Sequence, residues 1–522
     1  MSRIPKHWSV AEIGDLLGGI KAGKNLKCEE RPPKAHERGV VKVSAVTWGS
    51  FDASQSKTLP DSFEPAPDTA IRAGDFLFSR ANTVELVGAV VMVEKNHPNL
   101  FLSDKVLRLD LEPELKPWLL KYLRSMEGRR RLSEASTGNQ VSMRNIGQSA
   151  LKAVSVPIPP LNEQRRIVEK IESQFDEINK GVASLKTAKT TLSLYRQSLL
   201  KSAFEGRLTA DWRTRNADKL EARETLLARI QAERETRYKA ALDAWQKALA
   251  AWRAGGEKGR KPAKPKRQAD ITAQHIPEEA CPDFPSDWGT VRFGDLNLTV
   301  SDGPFGSNLK TSDYTETGVR VIRLENIGYG EFLEEKRSFI SVEKYETIKK
   351  HSVYPRTIVV SSFVTDAVRS CIVPKSIPLA INKADCFAAV LQGEHTNTSF
   401  AAYYLQSPQV FDQVEDLIHG VGRPRINTTQ LKELHFPICF PAEQAEIVRI
   451  LDARLDAADA LEAEIDAALG RAEALRQSIL KKAFSGRLVP QDPTDEPAAA
   501  LLERIKAGRA KAPKTRRGRV QA

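Results

Sequence analysis

One segment of this chain occurs twice, and that repeat constrains the architecture more than any other feature. At a shift of 280 residues, 151–208 aligns without a gap to 431–488 and matches at 21 of 58 positions. The densest stretch, RQSLLKSAFEGRL at 196–208 against RQSILKKAFSGRL at 476–488, is identical at 10 of 13. The same shift pairs Pro5, Trp8, Gly14, Asp15 and Leu16 with Pro285, Trp288, Gly294, Asp295 and Leu296, so each copy opens on Pro-x-x-Trp. LLARIQA at 226–232 resembles LLERIKA at 501–507, and each is followed by a basic run. The repeat unit is therefore half of the protein.

Within the repeated segments the apolar residues fall at helical spacing. Ile167, Ile171, Phe175, Ile178, Val182, Leu185, Ala188, Leu192, Leu199 and Ala203 line one copy, and Ile447, Leu451, Leu455, Ala458, Leu461, Ile465, Ala468, Ala472, Leu475, Ile479 and Ala483 the other, the second in the steps of three and four of a coiled-coil stripe. Each helix is predicted to begin after a proline-rich lead-in, PIPPLNEQ at 157–164 or PICFPAEQ at 437–444. Each should stop near Gly206 or Gly486, where glycine permits a left-handed cap. A helix of about 42 residues rises about 60 Å. A pseudo-two-fold relation between the copies runs the two helices antiparallel. Gly181 and Gly470 fall inside them, cost up to about 1 kcal/mol each relative to alanine, and mark where bending is expected.

The intervening regions carry short β-rich runs, DFLFSR at 75–80, GAVVMV at 88–93, VRVIRL at 319–324 and TIVVSS at 357–362, broken by Gly, Pro and Asn. The expected fold class is α+β, with two α+β domains joined by two long antiparallel helices. The expected boundaries are a first domain at 1–156, its helix at 157–208 and an insert at 209–284. A second domain follows at 285–436, its helix at 437–488, and a short helix with a basic tail at 489–522. The insert contains an amphipathic helix marked by Leu242, Trp245, Leu249 and Trp252. The domains share little sequence while the helices and their lead-ins are kept, so a constant frame displays variable modules.

With 522 residues, 41% of them hydrophobic and 28% charged, and a mean hydropathy of −0.39, the chain can bury more than one core and remain soluble. No apolar run is long enough for a membrane helix, and the start lacks a signal-peptide pattern, so the expected location is cytoplasmic. The five cysteines show no Cys-x-x-Cys spacing, and neither a disulfide framework nor a metal site is expected. The net charge of +12 is concentrated: 255–268 carries +5 and 504–522 carries +8, leaving the remainder near neutral. These runs read as a solvated linker and a disordered tail, with non-specific phosphate contact as the functional alternative.

Catalytic motifs are missing. Gly18-x-x-x-x-Gly23-Lys24-Asn25 nearly spells a P-loop, but Asn replaces the magnesium-binding Ser or Thr. Asp104 with Glu114-Leu115-Lys116 can be forced into a nuclease-like pattern, but reads better as a surface turn. The double prolines lack the flanking residues of an amino-methyltransferase, and there is no Gly-x-Ser-x-Gly elbow. No catalytic residue is assigned. A free-standing nuclease and a coiled-coil scaffold with two ligand-binding domains are the rival readings.

The repeated layout, the paired proline-rich lead-ins ending in Glu-Gln, the paired RQS(L/I)LK-x-AF-x-GRL ends and the loop GPFGSNLK at 303–310 together resemble the specificity subunit of type I restriction-modification enzymes. The resemblance covers nearly the whole chain, apart from the long insert. It implies two target-recognition domains, each reading half of a split sequence in double-stranded DNA, with helices that space them and dock methyltransferase subunits. Restriction and motor subunits complete the complex. The resemblance places S-adenosylmethionine, ATP and magnesium on those partners, with no cofactor on this chain.

For base readout, residues with bidentate or stacking capacity are the candidates: Arg80, Asn82, Asn139, Gln140 and Arg144 in the first domain, and Ser307, Asn308, Lys310, Arg423 and Arg425 in the second. Exposed Arg, Asn and Gln more often meet only water or phosphate. For the spacer and subunit interface the candidates are Ile167, Ile171, Phe175, Leu199, Phe204, Ile447, Leu451, Leu455, Ile479 and Phe484. Trp8 and Trp288 are expected to be domain-anchoring core residues.

Overall fold

A computed structural model describes residues 4–140, 143–267, 270–271, 284–365, 367–415, 417 and 424–511, with the backbone alone at 139, 140 and 509–511. The chain forms two compact units, Met1–Thr187 with Ile465–Ala522, and Ala188–Glu464. The long helices are Leu161–Phe204 and Pro441–Phe484, each of 44 residues. Each contributes its first turns to one unit and its last turns to the other. No helix among the described residues is long and apolar enough to cross a membrane.

In the first unit the domain's opening strand Ser9–Glu12 pairs antiparallel with its closing strand Ser155–Ile158. Between them lies an antiparallel sheet in the order Leu17–Lys21, Val106–Leu111, Phe76–Ser79, Val90–Met92. A second sheet runs Ser56–Thr58, Gly39–Val41, His97–Phe101, Ala70–Ile71, with its middle pair parallel. Helices Lys116–Arg124 and Met126–Glu134 bury Trp118, Tyr122 and Leu132 in the core. Ile167 and Ile171 from one long helix, and Ile479, Leu480, Ala483 and Phe484 from the other, complete that core.

The second unit repeats this order. Gly289–Arg292 pairs with His435–Ile438, and the first sheet runs Leu298–Ser301, Cys386–Leu391, Ile358–Val364, Val368–Ile372. The second runs Tyr314–Thr315, Ser338–Ile340, Val319–Ile322, Ala380–Asn382, Ser352–Val353, with the same parallel pair, Val319–Ile322 beside Ala380–Asn382. Leu199, Leu200, Ala203, Phe204, Ile447 and Leu451 enter its core. Two domains with little common sequence thus share one topology, because alternating apolar residues specify strands without specifying which residue points outward.

Within this unit Lys189 and Arg196 both reach Glu462, at 3.2 and 2.6 Å, and Arg196 also reaches Asp459 at 2.6 Å. The partner number falls as the first helix advances, which is the antiparallel register expected from the repeat. Gly206 and Gly486 end the helices at φ +67° and +69°. A Cβ at Gly206 would stand 2.2 Å from Pro285 Cγ, and one at Gly486 2.3 Å from Pro5 Cγ. Each cap therefore needs glycine twice over, for its φ and for the proline that opens the neighbouring domain. Gly181 and Gly470 break neither helix, and among the described residues nothing lies within 4 Å of an added Cβ at either.

The structure refines two expectations. The spacer residues named from the stripe pack in this chain's own cores: Ile167, Ile171, Ile479 and Phe484 are buried and Phe175 half-buried in the first, and Leu199, Phe204, Ile447 and Leu451 are buried and Leu455 half-buried in the second. They build the frame. Large exposed apolar side chains on the helices are Leu194 and Tyr195, and Leu461 and Leu475 of the stripe itself. The basic run after the insert helix is also more than a free linker. That helix, Arg223–Ala254, docks Leu226 and Ile230 in the second core, as Leu501 and Ile505 dock in the first. Residues 255–267 then fold back on it: Trp245 donates its indole N–H to Pro262 O at 3.1 Å, and Trp252 donates to Gly259 O at 3.3 Å.

Candidate nucleic-acid interface

The first-domain candidates converge on one small sheet. Strand Thr137–Gln140 pairs with Met143–Asn145, which pairs with Ala81–Asn82, so Arg144 stands directly opposite Asn82. Arg80 donates Nε–H to Asn145 Oδ1 at 3.3 Å across the same seam. Asn82 Oδ1 accepts the Thr83 N–H at 2.9 Å, and its amide reaches Ser79 Oγ at 3.4 Å. Asn139 and Gln140 lie on the first strand by backbone position, and their side chains lie outside what is described. This sheet holds short polar side chains and an arginine in one array, and both can address base edges or phosphates.

Arg144 also has a structural part. Its guanidinium donates to Ser136 Oγ at 3.0 Å, Ser136 O at 3.0 Å and Gly138 O at 2.9 Å, so three of its five N–H groups staple its own hairpin. Gly138 permits that hairpin through its φ of +127°.

The second-domain candidates divide between two places. Arg425 bridges to Phe363 through the backbone, lies over that ring at 4.3 Å, and reaches Asp385 at 3.4 Å. This seam corresponds to that of the first domain: Ile146 N–H donates to Arg80 O at 2.8 Å, and Ile426 N–H donates to Ser362 O at 2.9 Å. The first domain puts its arginine before the strand, and the second puts it opposite. Ser307 and Asn308 belong instead to the exposed turn Gly306–Asn308, followed by Lys310. Asp313 caps the next turn, Thr311–Asp313, by accepting the Lys310 backbone N–H at 2.7 Å and the Lys344 ammonium at 3.0 Å, which hold its carboxyl below the usual range. Arg423 lies outside the described residues.

The nuclease-like residues are engaged elsewhere. Glu114 pairs with Arg165 at 2.8 Å, and Lys116 donates to Gly74 O at 2.8 Å. Sequence reasoning missed the buried carboxylates that seat each domain on its helix. Trp8 donates to Glu163, and Trp288 donates to Glu443. The signal was present in the Glu-Gln pair that ends both proline-rich lead-ins.

Comparison with known proteins places this architecture. The family model described as the type I restriction modification DNA specificity domain matches residues 5–185 and 285–471. The chain is similar to the EcoBI type I restriction enzyme specificity subunit of Escherichia coli, at 24% identity over 507 residues, covering 95% of this chain and 91% of that one. It is 29% identical over 193 residues to the Escherichia coli EcoEI specificity subunit, spanning 36% of this chain and about a third, 32%, of the relative. Among solved structures, a chain from work on complex assembly and conformational transition of the type I R-M system matches in fold. The TM-score is 0.58 at 17% identity, covering 93% of this chain and 100% of the other.

Proposed function

The chain belongs to the type I restriction-modification DNA specificity family, and from that premise we propose that it recognises a bipartite, asymmetric DNA sequence for such a complex. Each domain reads one half-site. The observation that carries this reading is two domains of one topology and divergent sequence, held by equal 44-residue helices through the same anchors. A duplicated frame with different modules is what an interrupted, asymmetric sequence requires.

In this reading double-stranded DNA, methyltransferase subunits and restriction subunits are the partners, and S-adenosylmethionine, ATP and magnesium belong to the catalytic partners. This chain supplies the choice of sequence. Methylation sequencing of host DNA tests it. Deleting the gene should abolish one bipartite methylated motif, and exchanging 5–156 for another family member's first domain should change one half of that motif. A motif that survives deletion, or an exchange that alters both halves, overturns the reading.

A further inference from the structure

The near-P-loop at 18–25 is not a phosphate loop, since Gly18 and Gly19 lie within strand Leu17–Lys21. Its last residues nevertheless begin a pentapeptide that recurs. Gly23-Lys24-Asn25-Leu26-Lys27 in the first domain matches Gly306-Ser307-Asn308-Leu309-Lys310 in the second at four of five positions. The offset is 283 residues, three more than that of the frame, so a gapless comparison at 280 passes over it.

The fold puts both pentapeptides in the same place. Each follows the edge strand of its domain's first sheet, Leu17–Lys21 or Leu298–Ser301. At or just before each, a glycine is pressed onto neighbouring backbone: an added Cβ would stand 1.7 Å from Leu102 O at Gly23 and 2.2 Å from Asn382 O at Gly303. The leucine then plugs the same part of the second sheet. Leu26 packs with Val40, Leu59 and Phe101, and Leu309 with Val321, Ile340 and Ile381. Finally the chain joins that sheet at the same edge, where Glu29 bridges Thr58 and Tyr314 pairs with Ile340.

With Leu309 buried, Leu26 half-buried and the backbone pinched, the residues around each leucine are turned outward. Lys24, Asn25 and Lys27 are exposed, as are Ser307, Asn308 and Lys310. A short amide on a fixed backbone can donate and accept at adenine in one geometry, and a flanking lysine can neutralise a phosphate without reading sequence. We propose that 23–27 and 306–310 are one DNA-contacting loop present twice. Asn25 and Asn308 each read a base edge, and Lys27 and Lys310 hold the adjacent phosphate, one loop per half-site. The proposal rests on the bipartite reading above and adds to it the first-domain loop that has no counterpart among Arg80, Asn82 and the hairpin.

The test uses the full complex with its partner subunits, and compares Asn25→Ala, Asn308→Ala and Lys27→Ala with a whole exchange of the first domain. Asn25→Ala should relax one base of the first half-site by roughly tenfold, the worth of one bidentate contact, and leave the second intact. Asn308→Ala should do the converse. Lys27→Ala should weaken binding to all sequences and flatten the dependence of log affinity on log salt by about 0.9. If the exchange changes the first half-site while Asn25→Ala changes neither specificity nor affinity, the loop proposal fails and the bipartite reading stands. If the exchange changes nothing, both fail. Because the substituted side chains are exposed, thermal melts should match the parent, and a lowered melt would assign these residues to structure instead.

Discussion

Trp8 donates its indole N–H to Glu163 Oε2 at 3.0 Å, fastening the start of the first domain to the first turn of a long helix. Its repeat counterpart, Trp288, does the same to Glu443 at 3.1 Å. The surroundings differ. Glu443 also accepts from Thr209 Oγ1 at 2.8 Å and Arg213 Nε at 2.9 Å, whereas Glu163 has His7 Nε2 at 2.8 Å, and its Oε1 accepts no hydrogen bond among the described residues. One geometry is thus kept with a permanent cation on one side and a half-buried histidine on the other.

That difference predicts unequal sensitivity. The Glu443 side chain is 1% exposed, so Arg213→Leu leaves a buried carboxylate without its cation, at a cost of about 3–5 kcal/mol. The urea midpoint of the second unit should fall accordingly, and His7→Ala should lower that of the first unit by less. An unchanged midpoint for Arg213→Leu would mean that the ion pair does not hold the domain.

Charge placed on the buried part of the stripe should unfold this chain before it affects any partner. Leu199 and Ile479 occupy equivalent repeat positions at 4% and 5% exposure, so Leu199→Glu and Ile479→Glu should each cost several kcal/mol in the isolated chain, read by circular-dichroism melts. Tyr195 and Leu475, also equivalent, are 42% and 50% exposed. Glutamate at these two positions should leave the melt within about 0.5 kcal/mol of the parent, the usual effect of a surface change. Sedimentation with methyltransferase subunits then reports whether that outward face is used in assembly.

The long helices were legible because a stripe of period 3.6 over many turns has one reading, and their glycine caps and proline-rich lead-ins are local signals. Strands at 76–79, 90–92, 319–322 and 358–364 were legible for the same local reason. Which way a helix face points is a tertiary property. The stripe looked available to partner subunits, yet the domains of the same chain already cover much of it, and Leu461 and Leu475 are left exposed. The hairpin contacts of Arg144 were hidden on similar grounds, since the carbonyls that hold it belong to a turn the sequence does not announce. The correspondence between 23–27 and 306–310 was obscured by three extra residues, and only the sheet beneath the two leucines restores it.

The thiols give a test of the cores by pH. Burial pushes Cys371 and Cys386 up to about 12 and raises Cys439 well above its ordinary value, while an unfolded thiol titrates near 9. The folded state therefore holds more protons than the unfolded state once pH exceeds about 9, and stability should fall from there towards pH 12. Melts recorded at rising pH should show that slope, and Cys371→Ser with Cys386→Ser should flatten it. At neutral pH, maleimide labelling followed by mass spectrometry should spare these three cysteines until the protein unfolds. Labelling of Cys371 in the native protein would contradict the burial on which the slope depends.

Helix length should set the unread gap between half-sites. The division between the two compact units falls at 187–188 in one helix and 464–465 in the other, so both helices can be extended there without touching either domain core. Extending only one would put the stripe out of register with its antiparallel neighbour, so both need the same addition. Seven residues keep the stripe nearly in phase, because a heptad drifts only about 20° from two full turns. They add about 10 Å of rise, close to three base-pair steps of about 3.4 Å. With no recognition residue altered, the methylated motif should keep both half-site sequences and gain about three unread base pairs between them. The extra spacing also turns one DNA half-site by about 100° relative to the other, since three base pairs are nearly a third of a 10.5-base-pair turn, so methylation should be weaker than in the parent even where the new gap is accepted. Sequencing methylated motifs of parent and double-insertion variant decides it. An unchanged gap with full methylation would show that the helices are not the ruler.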